Sequence, residues 1–92
     1  MNGFLELWLN DGGFEVFGPY DATDEPRFLA RARTWARRYC RAGRGGTAVK
    51  GCFIHLGGHP VLAYRTRKNG RGYQVARGFR QIGACAFPNW RG

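Results

Sequence analysis

The sequence predicts an α+β fold, one helix packed on an antiparallel sheet in the order β-β-α-β-β-β, within a single small domain spanning residues 1–92. Three observations carry this. Residues 4–9 alternate apolar and polar faces and are followed by a turn signal and a second apolar run. Residues 25–42 repeat apolar side chains at spacings of three and four. After residue 46 the chain returns to short β-prone runs broken by glycine. Ninety-two residues leave no room for a second core.

In the first strand Leu5, Leu7 and Leu9 share one face, and Phe4, Glu6 and Trp8 the other. Asn10-Asp11-Gly12-Gly13 turns the chain into a second strand, Phe14 to Phe17, which Gly18-Pro19 is expected to end. Thr23, Asp24, Glu25 and Pro26 then combine a capping side chain, negative charge for the helix dipole and an early proline. The helix runs over 25–42, its stripe made of Phe28, Leu29, Ala32, Trp35, Ala36 and Tyr39, and Gly43, Gly45 and Gly46 stop it. Thr47 to Leu56 and Pro60 to Lys68 read as strands joined around Gly57-Gly58-His59. Asn69-Gly70, a two-residue hairpin signal, leads into Tyr73 to Arg77. Residues 79–87 are a candidate last strand of poor alternation, and residues 88–92 form a tail that either docks through Trp90 or stays mobile.

Charge is segregated along the chain. All six carboxylates, Glu6, Asp11, Glu15, Asp21, Asp24 and Glu25, precede residue 26, whereas all fifteen lysines and arginines follow it. Thirteen of the fifteen are arginine, whose planar fork grips phosphate or carboxylate with two parallel hydrogen bonds. The pattern points to an anionic partner, weighed against a face that is merely solvated.

Two basic groups stand out. On the helix, Arg27, Arg31 and Arg38 fall within about 40° of one another, with Arg33, Arg37 and Arg41 on the opposite side. On the hairpin and its exit lie Arg65, Arg67, Lys68, Arg71, Arg77 and Arg80, interleaved with Tyr64, Tyr73 and Phe79. Aromatics among arginines suit single-stranded nucleic acid, because bases stack and phosphates need neutralising. Tyr64 and Tyr73 equally fit as cross-strand core partners. Arg44, in a short arginine-glycine stretch, is expected to be a mobile charge that joins the contact surface.

Other chemistry is not expected. Gly70-Arg71-Gly72 lacks the strand-to-helix setting of a dinucleotide site. Cys52, His55 and His59, with Cys40 or Cys85, have the residue types of a zinc site, but Cys52 and His55, three apart on a strand, face opposite sides, so no metal or other cofactor is expected. The carboxylates sit in the N-terminal quarter, where Asp11 serves a turn and Asp24 and Glu25 a cap, so no catalytic residue is assigned and the protein is not expected to be an enzyme. The three cysteines, odd in number and far apart, read as reduced thiols. The opening Met1 to Glu6 has neither a signal-peptide pattern nor an apolar anchor, so no membrane is expected as partner and the cytoplasm is the expected compartment.

The stretch Phe14-Glu15-Val16-Phe17-Gly18-Pro19-Tyr20, then Asp21, Thr23, Glu25 and the helix Phe28 to Tyr39, resembles a recurrent opening of small bacteriophage proteins, including those of the anti-CRISPR type. The resemblance covers about a third of the chain. It implies a protein that acts by binding inside a bacterial host cell, with a CRISPR effector complex among the candidate partners. The chain departs from inhibitors that mimic nucleic acid, which are acidic; a basic inhibitor has to meet guide RNA, target DNA or an acidic protein surface. Two expectations result. One is a non-enzymatic module that contacts nucleic acid or a ribonucleoprotein through hairpin and helix, with no small-molecule substrate. The other is a protein-directed inhibitor anchored by Trp8, Phe17 and Trp90.

Overall fold

A computed structural model describes residues 1–66 and the backbone of residues 72–77. Its elements are β1 (Asn2–Leu9), β2 (Phe14–Asp21), α1 (Glu25–Ala42), β3 (Val49–Leu56), β4 (His59–Thr66) and β5 (Gly72–Arg77). The strands form one antiparallel sheet in the order β2-β1-β3-β4-β5. The predicted α+β fold is therefore present, and the helix lies across one face of the sheet.

The alternation of β1 decides which face is which. Leu5 and Leu7 are buried with Cys52, Ile54 and Leu56 of β3 and Leu62 and Tyr64 of β4, and α1 covers them with Phe28, Ala32, Ala36 and Cys40. Small side chains at 32, 36 and 40 bring the helix axis close to the sheet, so the larger members of the expected stripe, Trp35 and Tyr39, lie on its flank and are only partly buried. Trp35 packs on Tyr20 of β2 with ring centroids 5.0 Å apart, and Tyr39 stacks on Phe17 at 5.7 Å. Gly3 is buried under the ring of Phe28, where any Cβ would overlap ring carbons.

Both ends of the helix follow from local chemistry. The Asp24 carboxylate accepts the Arg27 backbone N–H at 3.2 Å, and Pro26 occupies the first turn. At the other end Gly43, with φ 78°, donates its N–H to the Tyr39 carbonyl at 2.8 Å. The glycines at 45 and 46 do more than stop the helix. With φ values of 56° and 84° they form a tight turn closed by paired backbone hydrogen bonds between Arg44 and Thr47. Thr47 is thereby engaged, and β3 starts at Val49 rather than at 47.

Other features also differ from the sequence reading. β2 continues through Gly18-Pro19 to Asp21, because it is an edge strand on which a missing N–H is tolerated, and the register slip there places the extra residue as a bulge. Gly57 and Gly58 alone join β3 to β4, so His59 belongs to the strand. Around Asn69-Gly70 the flanking strands pair Thr66 with Gly72, one residue away from the Thr66–Tyr73 pairing of a two-residue turn. That turn, the expected strand at 79–87 and the tail at 88–92 lie outside the described residues.

The face of the sheet turned away from the helix carries Phe4, Glu6 and Trp8 of β1, Phe14 and Val16 of β2, Phe53 and His55 of β3, and Ala63 of β4. Phe53 and Ala63 are buried, whereas Phe14 and Val16 at the β2 edge are 58% and 54% exposed. Among the described residues no helix is long and apolar enough to cross a membrane.

Candidate nucleic-acid interface

The helix displays its arginines along two flanks because its underside is occupied by the core. Arg27, Arg31 and Arg38 are exposed on the flank that looks toward the β2 edge, and Arg31 lies over the Trp35 ring at 5.2 Å. On the other flank, Arg33 and Arg37 act electrostatically on Tyr64 of β4. Among the described residues, no arginine of the helix forms an ion pair with a carboxylate. Among the described residues the helix thus carries a run of guanidinium groups without ion-pair partners two helical turns long, about 10 Å between Arg31 and Arg38, with Asp21 and Asp24 near its N-terminal end.

Below this ridge, where β2 hands over to the helix, lies a cleft of about 240 Å³. Tyr20, Phe28 and Trp35 form its apolar wall, Arg27 and Arg31 supply positive charge, and Asp21 and Asp24 negative charge. The three rings pack on each other at centroid distances of 5.0 to 6.5 Å, which fixes the wall. Oδ1 of Asp21 accepts both the Thr23 hydroxyl at 2.7 Å and the Thr23 backbone N–H at 3.0 Å. These bonds, the hydroxyl first, lower the pKa of the Asp21 carboxyl from its ordinary value. The sequence reading did not find this cleft. Its signal was the placement of Arg27, Arg31 and Trp35 at successive four-residue steps, next to Tyr20 after Gly18-Pro19.

The structure treats the expected contact residues unequally. Arg27, Arg31, Arg38 and Arg65 are exposed and available to a partner. Arg44 is not the mobile charge that its glycine neighbours suggest. Its guanidinium bonds Glu15 at 3.0 Å and lies over the Phe17 ring at 5.1 Å, since the tight turn at 45–46 directs the chain back along β2. Tyr64 is a correction of a second kind: it is fully buried beneath α1, so it cannot stack on a base from outside. Burial, first of all, raises its hydroxyl pKa, with Arg37 and Arg33 opposing, and its oxygen finds no hydrogen-bond partner among the described residues. Arg67, Lys68, Arg71 and Arg80 lie outside the described residues, as do the side chains of Tyr73 and Arg77.

Phe17 also moves. It faces the helix and Tyr39, so it does not share a surface with Trp8 as a joint anchor; Trp8 instead stacks on Phe14 at 5.0 Å on the far face. There Glu6 accepts the indole N–H of Trp8 and lies 2.9 Å from His55 Nε2. Cys52 is on the opposite side of the sheet from His55, inside the core with Cys40. Burial pushes both thiols above their ordinary pKa, that of Cys52 well above, with the charges of Cys40 and Glu6 adding to it. Among the described residues no three His, Cys, Asp or Glu side chains gather as metal ligands.

Comparison with protein-family models, with curated proteins and with solved structures returns no match to this chain.

Proposed function

We propose that the protein is a small non-enzymatic binding module that engages single-stranded nucleic acid, free or held in a ribonucleoprotein such as a CRISPR effector complex, through the arginine ridge of α1 together with the Arg65 hairpin. The observation that carries this reading is the row of exposed helix arginines without carboxylate partners among the described residues, beside an aromatic cleft. Guanidinium groups at that spacing neutralise successive phosphates, and the aromatic wall supports a base. The compartment that suits this role is the bacterial cytoplasm. Fluorescence anisotropy with short single-stranded oligonucleotides tests it: affinity is expected to fall steeply between about 50 and 200 mM salt as counterion release weakens. Lack of binding at the lower salt to both single and double strands overturns the reading.

A second reading is favoured by the exposed Phe14 and Val16 at the β2 edge, next to Trp8. Such an apolar edge fits a protein-directed inhibitor of phage origin. Co-purification from a bacterial lysate with and without nuclease separates the two, because a partner held through nucleic acid is lost on digestion, whereas one held by the β2 edge is lost on Phe14→Asp.

A further inference from the structure

We propose that the cleft between the end of β2 and the first turns of α1 is a subsite for one guanine base, in RNA or DNA; the inference rests on the nucleic-acid reading above and specifies what is read. At about 240 Å³ the cleft is smaller than the usual range of small-molecule pockets, a size that suits a single base and not a dinucleotide. Its lining divides into three chemistries that match the three parts of a nucleotide. Tyr20 and Trp35 supply an apolar aromatic wall for a flat ring, which a base reaches when Arg31, 5.2 Å over the Trp35 ring, turns outward to the phosphate. Arg27 and Arg31 stand one helical turn apart for the phosphate. Asp21 and Asp24 present carboxylates, and in each only Oδ1 accepts a hydrogen bond among the described residues.

Acceptors on that wall select the base. Guanine alone among the standard bases offers two adjacent donors, N1–H and N2–H₂, on its Watson–Crick edge. Adenine, cytosine and uracil each place an acceptor beside their donor, and that acceptor would meet a carboxylate oxygen with like charge. A guanidinium or ammonium ligand also carries donors, but Arg27 and Arg31 repel it. A purely anionic ligand is repelled by the two aspartates. Only a ligand that combines an anion, a flat ring and a donor edge meets every part of the lining. The Asp21 carboxylate is pre-oriented for this by its two bonds to Thr23, which fix the rotamer before a base arrives.

The test measures anisotropy with a short oligouridylate carrying one central guanosine, against the same strand with adenosine, cytidine or uridine there, and with deoxyguanosine in a matched oligothymidylate. A preference of about tenfold for either guanine strand is expected. Asp21→Asn is expected to reduce it to within about threefold, because it replaces an acceptor by a donor. Asp24→Asn keeps a good helix cap and so guards against loss of fold, and it is expected to have the same effect. Equal affinity for all strands overturns the guanine subsite and leaves the nucleic-acid reading standing. A guanine preference unchanged in both aspartate variants places recognition elsewhere and also overturns it. No binding to any strand overturns both.

Discussion

Glu15 and Arg44 meet at 3.0 Å across twenty-nine residues of chain, joining the start of β2 to the turn that follows the helix. The pair takes one arginine out of the basic surface and, by contrast, marks the helix arginines as those left without a carboxylate among the described residues. Both side chains are about two-fifths exposed, so the pair and the Arg44–Phe17 contact should each contribute no more than about 1 kcal/mol. A double-mutant cycle of Arg44→Ala and Glu15→Ala by urea denaturation is expected to give a coupling below about 1 kcal/mol. Arg44→Ala should weaken oligonucleotide binding less than Arg31→Ala does; the reverse order would mean that Arg44 leaves Glu15 for the ligand.

Gly3 is held by space alone, and Gly43 by space and by its positive φ. A Cβ at Gly3 overlaps the Phe28 ring, and at Gly43 it lies 2.7 Å from the Thr47 carbonyl oxygen on a backbone with φ 78°. Gly3→Ala is expected to destabilise the fold by about 1–3 kcal/mol as an overpacking change. Gly43→Ala should cost more than about 1 kcal/mol, by positive-φ strain and the clash together. By contrast Gly12→Ala, where the Cβ meets open space at φ 90°, isolates the strain alone and should cost less than Gly43→Ala. Urea titrations of the three variants give the ranking.

Tyr64 carries a buried hydroxyl that accepts and donates nothing among the described residues. Tyr64→Phe should therefore leave stability unchanged or raise it, while Tyr64→Ala should cost about 3–5 kcal/mol by opening a cavity. Neither phenolic oxygen nor ring reaches the surface, so Tyr64→Phe should bind oligonucleotides as the parent protein does. A loss of affinity in a folded Tyr64→Phe would return the residue to the contact surface.

Stability should fall as solutions become alkaline. Burial raises the folded-state pKa of Cys40 and Cys52 above the unfolded thiol value near 9.0. The unfolded chain therefore releases these protons first, and the stability they hold is intact below that value and declines as pH rises through it. Melting temperatures from neutral pH to about pH 10 should show the decline. Cys40→Ala with Cys52→Ala, in a Cys85→Ser background, should flatten it whatever the cost to overall stability. A pH slope that persists undiminished in that variant would trace to other groups.

Much of this architecture is legible in the sequence where one residue's environment is set by its neighbours. The parity of Leu5, Leu7 and Leu9, the Asp24-Glu25-Pro26 helix start and the glycine stop at 43 all follow from local chemistry. The strand order is not local: hydrophobic period identifies strands and cannot say that β1 lies between β2 and β3. For the same reason the extent of β2 is not legible, since Gly18-Pro19 breaks a central strand but not an edge one. Tyr64 was decidable, because it alternates with Leu62 and shares its face. The cleft is legible only in part: four-residue steps put Arg27, Arg31 and Trp35 on one flank, but no spacing records the packing angle that brings Tyr20 to Trp35 across an element boundary.

The most direct measurement compares the salt dependence of oligonucleotide affinity for the parent protein with that of Arg31→Gln combined with Arg38→Gln, in parallel with Arg65→Gln, each shown to be folded by circular dichroism. If the helix ridge holds phosphates, removing two contacts should lower the magnitude of the slope of log K against log salt by about 1.4 and weaken binding at low salt at least about tenfold, with Arg65→Gln lowering the slope by about half as much. A folded Arg31→Gln, Arg38→Gln variant that keeps the parent affinity and the parent slope would contradict the account, because the guanidinium groups on which it depends would then be spectators.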